Sequence, residues 1–181
     1  MTTSHHRHVS NAPLKISLMT LLLLMGVLNT GLIGPNRLSI EREYGLAHSQ
    51  FGTGLAAVQI ASTMLIFAGT RAIERFNPLH LLAVSQLLQA AGLLLIFATQ
   101  SLTALVTGWA ITALGMRLNS ISNSLSMALW PHEPRMGIIL LHAYNALGKL
   151  IGPLLVAVCI VFGWRVSFAV TGAICGVCFV A

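Results

Sequence analysis

Only four of the 181 residues are acidic, Glu41, Glu43, Glu74 and Glu133, and none lies inside a long apolar run. Lys and Arg add ten, so charged side chains make up 8% of the chain. A soluble domain carries roughly 25%. So few charges cannot cover a water-facing surface, and with 56% apolar residues lipid must be the solvent for much of the molecule. The excess of cations, a formal +6, does not point to nucleic acid. The cations stand mostly at the ends of apolar segments, with no basic stripe and no interleaved aromatics. Cysteine is equally scarce. Cys175 and Cys178 form a CxxC inside a continuous apolar segment without flanking polar groups, which excludes a metal or redox site. They and Cys159 read as small apolar residues. No Gly-x-Ser lies in an apolar run, which argues against an intramembrane serine protease and against an enzyme altogether. A single Asn-Pro, Asn77-Pro78, falls short of the pair that a water channel needs.

What remains is a succession of apolar segments. Residues 1–13 form a polar tail with His5, His6, Arg7 and His8, read as solvated and not as a metal site or signal peptide. About 20 apolar residues cross a bilayer core. The sequence predicts six spans, Leu14–Leu38, Gly52–Gly69, Leu79–Thr99, Leu102–Leu129, Met136–Phe162 and Val166–Ala181. Between them stand the charged stretch Ser39–Ser49, the turn Glu74–Pro78, Gln100-Ser101, the loop Trp130–Arg135 and Gly163-Trp164-Arg165. The last span holds 16 residues, about 24 Å of helix against a core of about 30 Å. The expectation is therefore a chain cut within its sixth helix, a fragment of a longer protein. With the N-terminus in the cytoplasm, Arg7, Lys15, Arg71, Arg75 and Arg135 lie inside and Arg37, Arg42 and Arg165 outside. That bias predicts an integral protein of the plasma (inner) membrane with a cytoplasmic N-terminus.

Polar groups within the spans are the functional signal, because ionisable side chains are costly there and face a cavity or a partner. Arg117 and Lys149 lie near the middles of the fourth and fifth spans, roughly 20 Å from the cytoplasmic ends at 1.5 Å per residue. His142, Asn145 and Lys149 form one stripe on the fifth helix. Asn119 and Asn123 share a face of the fourth, while Asn29 and Gln59 add amides from the first and second. Because no acid lies in the spans, the two cations call for an anionic or polyhydroxylated solute, or for carboxylates supplied by another half. If transport is proton-coupled, His142 on the fifth-helix stripe is the candidate proton carrier. Gly148 and Gly152 make a smooth helix face for close packing, and Pro153 favours a bend.

Four stretches carry a resemblance. They are Tyr44-Gly45-Leu46-Ala47-His48-Ser49-Gln50-Phe51-Gly52; Glu74-Arg75-Phe76 after Gly69 and Thr70; Gly148-x3-Gly152-Pro153; and Gly163-Trp164-Arg165-Val166-Ser167-Phe168. In order and spacing the set resembles the amino-terminal half of the major facilitator superfamily. Asn77 and Pro78 replace the Gly and Arg expected after the acidic–Arg pair, and Val156 and Ala157 replace a Gly pair of the antiporter motif, so exchange is not inferred. The stretch from Leu141-His142-Ala143-Tyr144 to Gly152-Pro153 is loosely similar to the fucose/galactose/glucose symporter branch. The resemblance implies an all-α membrane protein, six helices in a 3+3 inverted-repeat bundle that is half of a 12-helix fold. Leu28-Asn29-Thr30 and Leu118-Asn119-Ser120 are a faint echo of such a repeat. It further implies a secondary transporter of a small solute, with a proton or sodium as coupling ion, a C-terminal half as partner and no cofactor. Helices 1, 2, 4 and 5 would line the cavity, with Glu74 and Arg75 as a conformational latch. The alternative is an inactive or structural membrane fragment lacking the second half.

Overall fold

A backbone in lipid must satisfy every N–H and C=O within itself, which leaves helices as the solution for long apolar segments without strand alternation. The computed structural model describes residues 19–20, 22–73, 76–119 and 134–180, and among them the regular elements are helical. Glu74, Arg75 and Asn123 lie outside the described residues, as does the side chain of Asn29.

The first helix, α1 (22–44), is three pieces on one course: α-helix at 22–26, a π-helical turn Val27–Gly31, and α-helix Ile33–Tyr44. It runs six residues past the expected end at Leu38. The extension is held by an Arg37–Glu41 pair at i,i+4, with Nε to Oε1 2.6 Å, and by Ile40, which packs into the core. It ends where Gly45 turns left-handed, φ 62°, with the N–H of Gly45 and of Leu46 both returning to the Glu41 carbonyl. The next helix, α2 (His48–Ile73), starts three residues later. Its Gln50 side chain reaches back to accept from the N–H of Ala47 at 2.9 Å. The charged stretch expected to be a loop is therefore mostly helix.

Helix α3 (Pro78–Ala98) opens on a proline, whose missing N–H costs nothing there. Helix α4 is described over Leu102–Asn119, α5 over Pro134–Cys159 with a 3-10 turn Ile160–Phe162, and α6 over Trp164–Val180. Three helical stretches among the described residues are long and apolar enough to span a bilayer, His48–Gly69, His80–Ala98 and Arg135–Phe162. The apolar stretch of α6, Trp164–Cys178, is shorter.

Helix α3 is the centre, packed against α4 on one side and α6 on the other; α2 leans on α4, and α1 on α5. Small residues set these approaches. A Cβ on Gly108 would stand 2.7 Å from Ile96 Cγ1, and one on Gly115 2.7 Å from the Ser85 carbonyl. Leu28, Leu32, Leu93, Ile96 and Phe168 fill the space between the helices. Only 6% of the His48–Gly69 span is buried, so α2 presents most of its surface outward.

Candidate functional site

The stretch of α2 around Gln59 faces Arg117 of α4. The Arg117 guanidinium donates from Nη2 to Gln59 Oε1 at 2.8 Å, and it has interactions beyond that bond. Both line a groove of about 380 Å³ whose other walls are Ile60, Thr63, Met64 and Phe67. Thr63 is the contribution that sequence reading missed, although its i,i+4 spacing from Gln59 puts it on the same face. Its hydroxyl donates to the Gln59 carbonyl at 2.8 Å, and Ser62 donates to the same oxygen at 2.9 Å. A half-buried guanidinium held by an amide beside a hydroxyl, in an apolar groove, can bind a carboxylate, phosphate or polyol with directed N–H donors.

Asn119 does not join this groove. It is fully buried, one turn from Gly115, whose face meets Ser85 and Gln89 of α3. Gln86 and Gln89 of α3 are buried as well, and their amides, like that of Asn119, have no hydrogen-bond partner among the described residues. Asn36 likewise belongs to packing: its Nδ2 donates to Ser167 Oγ of α6 at 2.9 Å.

On α5, Asn145 is half-buried while His142 and Lys149 are exposed, in a helix that packs on α1. Among the described residues no hydrogen bond joins this stripe to Gln59 or Arg117. Two glycine contacts clasp α1 to α5. A Cβ on Gly26 would collide with the Asn145 carbonyl, and one on Gly148 with the Leu23 carbonyl. A Cβ on Gly31 would stand 2.7 Å from Gly152 Cα. Pro153 follows directly, inside α5 and exposed.

A second cavity, of about 170 Å³, lies among α1, α2, α3, α4 and α6 and is lined by Ile40, Phe51, Leu55, Trp109 and Phe168. Its lining is mostly apolar; the polar groups are Gln50, whose carbonyl accepts from Ala47, and Trp109, whose Nε1–H has no partner among the described residues.

The family profile of the Major Facilitator Superfamily matches residues 18–181. The chain belongs to the major facilitator superfamily. That family consists of transporters and not of enzymes, and the helical bundle fits half of its fold. The major-facilitator chain is thus an integral membrane protein by family and by its apolar helices. No curated protein matches it. Within the family's fold, the groove between α2 and α4 and the stripe on α5 are two places where described polar residues of the predicted spans stand on helix faces that are not fully buried.

Proposed function

We propose that this major-facilitator chain moves a small anionic or polyhydroxylated solute across the plasma (inner) membrane by alternating access, with its N-terminus in the cytoplasm. The observation that carries this reading is the Arg117–Gln59 pair, a cation presented with an amide at the wall of a groove in a chain whose spans contain no acid. The planar fork of a guanidinium matches a carboxylate or phosphate with two parallel N–H donors, which supports an anionic solute. Lys149, Asn145 and His142 supply a second set of donors from α5, and Asn29 and Asn123 further amides. A second six-helix half completes the cavity, and the exposed apolar surface of α2 and α5 gives it a face to meet. Transport is coupled to a proton or to sodium; His142 supports the proton, as an exposed imidazole on the α5 stripe. Glu74 and Arg75 act as the latch at the cytoplasmic turn.

The test is uptake into vesicles carrying the intact protein, with a carboxylate, an organophosphate and a hexose as labelled solutes. Arg117→Gln is expected to abolish uptake of the anionic solute and Lys149→Met to weaken it. Wild-type uptake by both variants would overturn the assignment.

A further inference from the structure

The two glycine contacts between α1 and α5 do not have the same spacing. Gly26 and Gly31 are five residues apart on α1, whereas their partners Gly148 and Gly152 are four apart on α5. Both helices run in the same direction here, since the later glycine of one meets the later glycine of the other. On a regular α-helix, positions five apart point about 140° from each other, at 3.6 residues per turn. Gly26 and Gly31 could not then both face α5. The π-helical turn Val27–Gly31 lies between the two contacts. Its wider ring closes on i→i+5, which returns Gly31 to the face that Gly26 occupies. The turn absorbs one residue that packing against α5 does not need: with the glycines four positions apart, a plain α-helix would make both contacts.

We propose that this surplus residue makes α1 a two-state element, and that Gly26, Gly31, Gly148 and Gly152 are positioning residues for the conformational cycle of transport. In one state the π-turn is present and both glycine contacts are closed, as in the structure. In the other the turn anneals to α-helix, one contact opens, and one part of α1 turns by about 100° and advances about 1.5 Å relative to the other. The outer part is anchored by the Asn36–Ser167 bond to α6. The rotation therefore falls on the inner part, which carries Gly26 away from the Asn145 carbonyl and changes what the α1–α5 face presents. Pro153, beside the Gly31–Gly152 contact, leaves one backbone bond unmade in α5 and lets that helix bend in step. The proposal rests on the packing of α1 and α5 and not on the solute proposed above.

Deleting Thr30 reduces the spacing of the two α1 glycines from five to four, matching Gly148 and Gly152, and removes the second state. The intact protein, freed of Cys159, Cys175 and Cys178 and carrying Asn145→Cys, is reconstituted in vesicles and treated with a membrane-impermeant maleimide from each side. The parent is expected to label from both sides. The deletion variant is expected to keep its melting temperature and to label from one side only, with the rate from the other face falling about tenfold or more. A merely structural role for the turn predicts loss of stability with labelling from both sides retained. Labelling of the deletion variant from both sides at parental rates would overturn the proposal. If the deletion variant fails to fold, a carbon-13 carbonyl label at Leu28 decides. With that label placed in the cysteine-free Asn145→Cys parent, two amide I components whose ratio shifts between the forms trapped by maleimide from either side support the switch, and one invariant component rejects it.

Discussion

Asn36 of α1 and Ser167 of α6 are fully buried and joined by a 2.9 Å hydrogen bond from Nδ2 to Oγ, which ties the first helix to the last across the bundle. The same amide donates to the Leu32 carbonyl at 2.9 Å, and Ser167 Oγ donates to the Trp164 carbonyl at 2.8 Å, so both side chains are fixed in place. Interhelical bonds of this kind contribute about 0.6 kcal/mol on average and up to about 1.7. Asn36→Leu and Ser167→Ala are each expected to lower stability within that range. The double variant should lose less than the sum, and additivity in detergent unfolding would show that the bond contributes nothing.

Arg117→Lys keeps the charge at the groove but loses the planar fork that meets Gln59. Binding of an anionic solute should weaken by about tenfold, as expected for loss of one charge-assisted bond of about 1.5 kcal/mol. Arg117→Gln should lose more. Binding isotherms on the purified variants rank the three; equal affinity for Arg and Lys would mean that charge alone matters.

The Glu41 carboxylate is held below its ordinary 4.5 chiefly by the hydrogen bond from Arg37, with a further bond to His48 Nδ1 at 3.1 Å. A group whose folded pKa is depressed stabilises the fold above its unfolded value and loses that contribution as pH falls through the folded one. Melting temperatures of wild type and Glu41→Gln should therefore differ by a constant amount at neutral pH. The gap should close as pH falls below 4.5, and added salt should narrow it throughout. A gap that is unchanged in acid would show that Glu41 is not the titrating group.

Gly163 joins α5 to α6 with φ 110° and ψ 142°, a conformation that side chains rarely adopt. Open space surrounds it, so the penalty for a Cβ is one of backbone and not of crowding. Gly163→Ala is expected to cost about 1–3 kcal/mol. Denaturant titration measures it, and a neutral result would mean that the turn relaxes freely.

The sequence made the helical architecture readable because composition alone demands lipid and lipid demands helices. It also pointed to Arg117 and Gln59, since an intramembrane cation and amide are conspicuous against apolar neighbours. It did not show that Ser39–Tyr44 stays helical, because charge there signals exit from the membrane and not the end of a helix. Nor did it separate Asn119 from Arg117 in function: two amides and a cation look alike until the glycine at 115 fixes which face meets α3. The π-turn had no signature at all, since Val27–Gly31 is ordinary helix by composition and acquires its shape from a spacing mismatch with residues more than a hundred positions away.

Only Gly45, Leu46 and Ala47 separate α1 from α2, and Arg37 Nη2 bridges the gap to the His48 carbonyl at 3.0 Å while its guanidinium lies 5.5 Å from the centre of the Phe51 ring. So short and braced a corner has a mechanical consequence. Force that reaches this corner from the N-terminus passes through the Arg37 bridge directly into the first turn of α2. In single-molecule extraction the first rupture should release both helices together, as one hairpin.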